Sequence, residues 1–265
     1  MEIAGYIASL IIGISLGLIG GGGSILTVPV MVYLFGVQPL LATSYSLFVV
    51  GVTSLFGTIT NFRNGLVNIK IAVLFGFSSV ITVFFTRKLI IPAIKGLALT
   101  VAGFKITEPI FTMILFSFLM IVAAYTMIVK QSNATEKRTS SKNNNFSRLF
   151  LFGIIIGFIT GLLGAGGGFL LIPTLVLVIG LPIKEAVGTS LLIIAANSLI
   201  GFTGDLGHFI IEWKLLLTVT LIAIIGILLG GQLAKKIEGE KLKKAFGWFI
   251  LVMGIYIIAK ETLLH

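Results

Sequence analysis

The chain has 265 residues, of which 57% are apolar and 11% are charged, and its mean hydropathy is +1.15. A soluble domain cannot bury so large an apolar fraction, so the composition predicts a membrane protein with several spans. The net charge of +10 comes from basic residues in short segments between apolar runs, a distribution that indicates membrane topology and excludes nucleic acid as a partner.

Helices are the predicted form of these spans. In lipid every backbone N–H and C=O must be paired within the chain, and the long apolar runs lack the two-residue alternation of a barrel strand. With no cysteine and two histidines, neither a metal site nor a cofactor is expected. A cleaved signal peptide is not expected either, because no basic n-region follows Met1. The predicted location is the cell membrane, as a multi-pass protein.

The first predicted element is an apolar segment broken by glycines at 20–24, and the same pattern returns at 164–168. Both clusters belong to an internal repeat that begins at Gly13 in the first copy and at Gly157 in the second, a constant offset of 144 residues. An internal repeat of this length predicts two homologous halves.

The halves are predicted at 1–130 and 149–265, and the Ser-, Asn- and Lys-rich stretch at 131–148 is predicted to be a polar linker. After its glycine-broken segment, each half continues with three further predicted transmembrane helices. These helices are expected at 41–60, 69–86, 110–129, 187–204, 214–234 and 246–263. The fold class is therefore an all-α polytopic membrane protein.

The glycine-broken segment has two alternative courses, a single kinked crossing or a re-entrant hairpin. The hairpin collects most Lys and Arg on one side, which the positive-inside rule assigns to the cytoplasm; the predicted loop from Arg87 to Lys105 is the exception. The arms on either side of each cluster are also short for full crossings. A hairpin gives each half an odd number of crossings, so it predicts inverted halves, as in many secondary transporters.

The glycine clusters are the first candidate substrate-binding residues. Glycine permits positive φ, so successive backbone N–H groups can converge on an anion, and irregular backbone at membrane depth is tolerated only inside protein or beside a polar cavity. The alternative is close helix packing through small residues, which is the favoured interpretation of the flanking pairs Gly13/Gly17 and Gly157/Gly161. The candidates are Gly20, Gly21, Gly22, Gly23, Ser24, Gly164, Gly166, Gly167 and Gly168.

Hydroxyl pairs recur at the start of the next helix in each half, as Thr43-Ser44 and Thr189-Ser190. Their hydroxyls could donate to an oxyanion, although Ser and Thr also cap helices or bond to carbonyls of their own helix. Asn197 lies in the middle of a predicted span, where an amide is costly without a partner, and it is a further candidate for binding substrate.

A third set of polar residues lies near the predicted membrane boundaries and is assigned to gating or coupling: Asn61, Arg63, Asp205 and His208. Asp205 and His208 are three residues apart, so they could share a helical face as an interfacial ion pair or a proton relay. No acidic residue is predicted deep within a span, which favours an anion path over a carboxylate proton carrier.

These motifs resemble the TauE/SafE family of sulfite exporter-type membrane permeases. The resemblance rests on the glycine-rich segment from Gly161 to Pro173, on Ala-Val-Gly-Thr-Ser at 186–190, and on Gly-His at 207–208 before Trp213. It implies an integral membrane transporter without a prosthetic group, several relatives being associated with export of sulfite or organosulfur anions. Asn61, where the first half often has histidine, and the missing glycine before Trp213 depart from the pattern.

The predicted function is secondary transport of a small anion, with sulfite or a related organosulfur oxyanion as the expected substrate and alternating access around a central site as the expected mechanism. A passive anion channel is the alternative. An intramembrane enzyme fits less well, because neither glycine cluster has the context of a nucleophile. A purely structural protein also fits less well. The expected partners are the anion and the lipid bilayer. The coupling ion, H⁺ or Na⁺, and a homodimeric state stay open.

Overall fold

The computed structural model describes residues 2–94, 98–101, 104–129, 146–234 and 239–263. Within these ranges helices dominate, as predicted, and two short strands pair antiparallel. The elements are α1 (Glu2–Ile19), a 3₁₀ segment (Gly21–Leu26), α2 (Thr27–Tyr33), α3 (Pro39–Arg63), α4 (Ile69–Phe85), a π turn (Thr86–Ile90), α5 (Ile91–Ile94), β1 (Ala98–Val101), β2 (Phe104–Thr107), α6 (Glu108–Val129), α7 (Phe146–Leu163), α8 (Gly168–Leu177), α9 (Ile183–Asp205), α10 (Trp213–Leu233) and α11 (Gly239–Leu263).

Among the described residues, four helical runs are long and apolar enough to cross a membrane: α3, the run from Ile69 to Ala93, α9 and α10. This confirms the multi-pass helical class. In their most apolar windows, 72% of α3 and 67% of α9 are buried, against 44% of the Ile69–Ala93 run and 39% of α10. The centre of the protein is therefore formed by α3 and α9. Most of the predicted polar linker lies outside the described residues.

The first part of the loop predicted from Arg87 to Lys105 is helical. The helix continues from α4 through the π turn into α5, so Arg87 belongs to a helical run that ends seven residues later at Ile94. The apolar residues Leu89, Ile90 and Ile91 that follow the basic pair allow the helix to continue. Arg87 is also fully buried, so it does not act as an exposed topology signal.

The internal repeat is visible in the backbone as well as in the sequence. Gly20 and Gly164, which are equivalent in the repeat, have φ values of +71° and +68°. Gly36 and Gly180, also equivalent, have φ values of +70° and +78°. Only glycine adopts positive φ readily, so positive φ occurs at the same two repeat positions in both halves.

The largest contacts between helices join the two halves to each other. Helix α1 of the first half packs against α10 of the second, and the equivalent pair α7 and α4 does the same. Helices α3 and α9, which are equivalent to each other, form another of the major contacts, as do α6 and α11. The halves are therefore interlocked around α3 and α9.

The direction of α3 and α9 follows from the residues that touch. Gly51 packs against Leu199, and Gly201 packs against Leu47. The higher residue number on α3 thus pairs with the lower residue number on α9. The two equivalent helices are therefore antiparallel. Gly188, near the start of α9, accordingly packs against Asn61, near the end of α3.

The course of the first glycine-broken segment follows from three parallel helices. Phe48 and Gly57 of α3 pack against Trp213 and Ile227 of α10 respectively, so α3 and α10 are parallel. Gly13 and Gly17 of α1 pack against successive turns of the same helix α10, so α1 is parallel to it too. Because α1 and α3 run in the same direction, the chain must return between them through the 3₁₀ segment and α2, which is the course of a hairpin.

The flanking glycines pack helices together, as their spacing predicts. A Cβ atom at Gly13 or Gly17 would collide with backbone atoms of α10, and one at Gly157 would lie within 2.9 Å of the Ser79 Cα in α4. At Gly161 it would lie 2.7 Å from the Thr86 Cβ. The missing side chains let these helices approach at backbone distance.

Candidate functional site

The two glycine clusters meet inside the protein, as predicted. Gly21 and Gly168 are in direct backbone contact, since a Cβ atom on either residue would collide with the Cα atom of the other. The same Gly21 position faces Ile194, about halfway along α9. The meeting point is therefore close to the midpoint of the α3–α9 interface.

The clusters differ in local structure although their sequences are similar. In the second cluster Gly164, Gly166 and Gly167 have φ values of +68°, +65° and +69°, so the chain is irregular until α8 begins. In the first cluster the residues after Gly20 form the 3₁₀ segment, in which the Ser24 hydroxyl donates to the Gly21 carbonyl at 2.7 Å. The second cluster is thus the one with several positive φ angles in succession.

Polar side chains line the place where the second cluster passes α9. A Cβ atom at Gly166 would lie 3.0 Å from the Ser198 Oγ. Next to it, the Asn197 amide donates to the Ser79 hydroxyl at 2.7 Å, while Asn197 Oδ1 and Ser198 Oγ are buried and have no partner among the described residues. Asn197 is therefore central, and it joins α9 to α4.

The hydroxyl pairs do not converge on this centre, contrary to the single site predicted for them. Because α3 and α9 are antiparallel, Thr43-Ser44 and Thr189-Ser190 lie at opposite ends of their interface. The distance along α3 from Thr43 to Asn61, which lies beside Gly188, is about 27 Å at ~1.5 Å per residue. The recurrence of the Thr-Ser pair in the sequence showed that the two pairs are equivalent. It did not show that they lie far apart in the structure.

Each hydroxyl pair instead lies beside the start of the glycine cluster from the other half. Gly164 packs against Thr43, and Gly20 packs against Val187 and Ser190. The Thr189 hydroxyl accepts the Asn68 backbone N–H at 2.9 Å. The helix-bonding alternative holds for two hydroxyls: Thr43 donates to the Leu40 carbonyl at 2.7 Å and Ser190 to the Val187 carbonyl at 2.8 Å.

The most unusual group at the Thr43 end is Arg87, which was not among the predicted site residues. Its side chain is 0% exposed, and its Nη1 donates to the Thr43 hydroxyl at 3.0 Å and to Asp205 Oδ2 at 3.1 Å. The Ser44 hydroxyl lies beside the same carboxylate. The sequence signal for this residue was the apolar stretch that resumes after it, which would have shown that Arg87 lies within a helix.

The prediction that Asp205 and His208 share a helical face is wrong. Helix α9 ends at Asp205, and the chain then turns through Gly207, whose φ is +89°. The His208 backbone N–H donates to the Asp205 carbonyl at 3.1 Å. The Asp205 carboxylate is 1% exposed and pairs with Arg87, so a buried acidic group is present at the end of a span rather than at an open interface.

Asn61 and Arg63 lie at the other end of α3, away from Asp205 and His208. The Asn61 amide donates to the Gly57 carbonyl at 2.9 Å, and its Cβ packs beside Gly188. Arg63 is exposed at the last position of α3. The four predicted gating residues are therefore divided between two ends, and their roles in gating or coupling stay predictions.

Residues 6–257 match the family model "Sulfite exporter TauE/SafE". The chain is 28% identical to a "Probable membrane transporter protein" of Xylella fastidiosa (strain Temecula1), over 94% of this chain and 91% of the relative. It is 26% identical to "Probable membrane transporter protein YdhB" of Bacillus subtilis, over 94% of this chain and 96% of the relative. No solved structure matches significantly. A match that covers nearly the whole chain, together with the paired glycine clusters, shows that this membrane transporter belongs to the TauE/SafE family.

Proposed function

We propose that this transporter carries a small oxyanion by alternating access around the place where the two glycine clusters meet. The observation that carries the proposal is the contact of Gly21 with Gly168 at the middle of the buried α3–α9 interface. Broken helices that meet at mid-membrane depth are the usual binding place in transporters built from inverted repeats. The description of the family makes sulfite the first anion to test.

The chemistry of the meeting place suits an anion. Helix α8 starts there, so the positive end of its dipole and its first backbone N–H groups face the glycine contact. The adjacent side chains are neutral, with the buried Ser198 hydroxyl beside Gly166 as a further donor. Among the residues that the structure describes around it, the contact offers hydrogen bonds to an oxyanion and brings no carboxylate against the two glycines.

The antiparallel packing of α3 and α9 supports the inverted relation between the halves that alternating access requires. Each glycine cluster starts at one end of this pair, beside the hydroxyls at 43–44 or at 189–190, and passes toward the middle. Movement of one hairpin would open the centre from one end, and movement of the other hairpin would open it from the opposite end. The two hydroxyl pairs would then belong to the two access routes rather than to the central site.

The proposal is tested by uptake of radiolabelled sulfite into proteoliposomes, using Gly22→Leu and Gly166→Leu. Leucine at Gly166 would meet the Val50 and Ser198 side chains at a left-handed φ of +65°, so the central site should be filled and flux abolished. Gly180→Leu is the matched control, because Gly180 has a φ of +78° but nothing within 4 Å. It imposes the same backbone strain away from the site.

A comparison of exchange with net flux separates a transporter from a passive channel. Preloading vesicles with unlabelled sulfite should accelerate entry of labelled sulfite if a single site alternates between the two sides. Flux that does not saturate and is not stimulated by preloading would indicate a channel. Sulfite uptake by Gly166→Leu at the parental rate would contradict the central site.

A further inference from the structure

We propose that Arg87 binds the transported anion during its passage, through the edge of its guanidinium formed by Nε and Nη2, so that the substrates are anions with at least two oxygens on one centre. This inference rests on the proposed function and adds a charged site at one end of the access route. It concerns a residue at the Thr43 end of the α3–α9 interface, where Arg87 donates to the Thr43 hydroxyl.

The guanidinium of Arg87 carries five N–H donors on three nitrogens, and only one of these nitrogens has hydrogen-bond partners among the described residues. Nη1 is occupied, since it lies 3.0 Å from the Thr43 hydroxyl and 3.1 Å from Asp205 Oδ2. Nε and Nη2 are buried and have no partner among the described residues. Their N–H bonds lie on the same side of the planar group, the side with which arginine holds carboxylates and other oxyanions through two parallel hydrogen bonds.

Leaving Nε and Nη2 of Arg87 without hydrogen-bond partners is energetically unfavourable. Arg87 is 0% exposed, and a buried donor without a partner loses its bonds to water without a replacement, which is most costly when the donor carries charge. Asp205 balances the charge, but it uses another nitrogen and leaves the two-donor edge unsatisfied. Such an arrangement is favourable when a ligand completes it, because the ligand then replaces bonds that the protein does not supply.

The backbone at Gly164 and at Gly204 packs closely against the Arg87 side chain. A Cβ atom at Gly164 would lie 2.5 Å from Nη2, so the backbone of the second glycine cluster lies directly against it. On the other side, a Cβ atom at Gly204 would lie 3.0 Å from the Arg87 Cβ. The Arg87 side chain thus packs against the end of α9 at its Cβ and against the residue after α7 at Nη2, and a displacement of the α7–α8 hairpin would uncover the edge that binds the anion.

The geometry also defines the class of substrate. Two adjacent N–H groups pair with two oxygens of one anion, as in sulfite, a sulfonate or a carboxylate. Chloride can accept from both donors but cannot form two parallel bonds. Lysine would keep the charge without the edge, so Arg87→Lys distinguishes recognition of shape from simple attraction of charge.

The experiment measures sulfite binding, by thermal shift of the purified protein, and sulfite flux in proteoliposomes. The main variant is the double change Arg87→Gln with Asp205→Asn, which removes both charges and leaves neither buried without a counter-ion. Lys88→Gln is the matched control, because Lys88 is the next residue, is exposed and lies 5.4 Å above the Phe84 ring. It removes one positive charge from the same helical turn.

We expect sulfite and methanesulfonate to stabilise the parent and Lys88→Gln more than chloride does at equal ionic strength. In the double variant the half-saturating sulfite concentration should rise by roughly 10- to 100-fold for binding and for flux, the loss expected for one charged hydrogen-bonded contact. Arg87→Lys should fall between the two and lose the preference for sulfite over chloride.

The two proposals can fail separately. If the double variant binds and transports sulfite with the parental half-saturation, Arg87 is not an anion contact, and transport around the glycine contact survives. If sulfite stabilises the parent in an Arg87-dependent manner but no anion crosses the membrane, the binding site survives and the transport proposal is overturned. Equal stabilisation by chloride and sulfite would contradict the two-oxygen recognition.

Discussion

Arg87 and Asp205 form a 3.1 Å ion pair that joins the π turn after α4 to the last residue of α9, although they are far apart in the sequence. Both side chains are almost completely buried. Single π turns within helices are frequent at functional sites, and here the turn carries the charged residue. The pair therefore connects a local irregularity of one span to the end of a central helix.

Breaking this pair on one side should destabilise the protein more than removing both charges. Arg87→Gln alone leaves Asp205 buried without its counter-ion, so we expect a loss of about 3–5 kcal/mol in the free energy of unfolding. Adding Asp205→Asn should restore a large part of that loss. The measurement is the unfolding midpoint of the single and double variants in detergent. Equal destabilisation by the single and double variants would contradict a coupled buried pair.

Two adjacent glycines of α10 provide a test of the packing against α1. A Cβ atom at Gly230 would collide with the backbone of Ile14, whereas Gly231 has nothing within 4 Å. Gly230→Ala should therefore destabilise the protein by about 1–3 kcal/mol through overpacking. Gly231→Ala should be neutral or stabilising by up to ~1 kcal/mol, because alanine favours a helix. Thermal unfolding followed by size-exclusion chromatography measures both variants, and equal behaviour would be inconsistent with the close α1–α10 contact.

The two equivalent threonines should differ in what they affect. Thr189→Val removes the acceptor of the Asn68 N–H at the start of α4, so we expect a stability loss of about 1–3 kcal/mol and little change in sulfite affinity. Thr43→Val removes the hydroxyl that orients Arg87 and should raise the half-saturating sulfite concentration. Flux and unfolding measured on the same preparations distinguish the two effects. Identical losses of affinity in both variants would support one shared site instead.

The Asn197–Ser79 bond should couple α9 to α4. Asn197→Ala leaves the buried Ser79 hydroxyl without its 2.7 Å partner, and Ser79→Ala leaves the amide without an acceptor. Each change should cost about 1–2 kcal/mol, and the double change should cost less than their sum. A double-mutant cycle on the unfolding midpoints measures this coupling. Strict additivity would show that the bond contributes nothing specific.

The helical membrane class and the position of the glycine breaks could be predicted from the sequence because both depend on local properties. Apolar length determines which segments can span a membrane, and only glycine tolerates positive φ at positions such as Gly20 and Gly164. The flanking glycines were also interpreted correctly, since a spacing of four places them on one helical face. Each of these features depends on residues within one helix or one turn, so the sequence was sufficient to predict it.

The arrangement of the charged and hydroxyl groups was decided by tertiary structure alone. The sequence predicts opposite directions for the two halves but not which helices touch, and the packing of α3 on α9 separates Thr43 from Thr189 and brings Asp205 to Arg87. Burial of a charge depends on which distant helices surround it, and an arginine after an apolar run has the same local sequence whether it faces water or a carboxylate. The sequence determined the helices and their breaks, and long-range packing determined which polar groups meet.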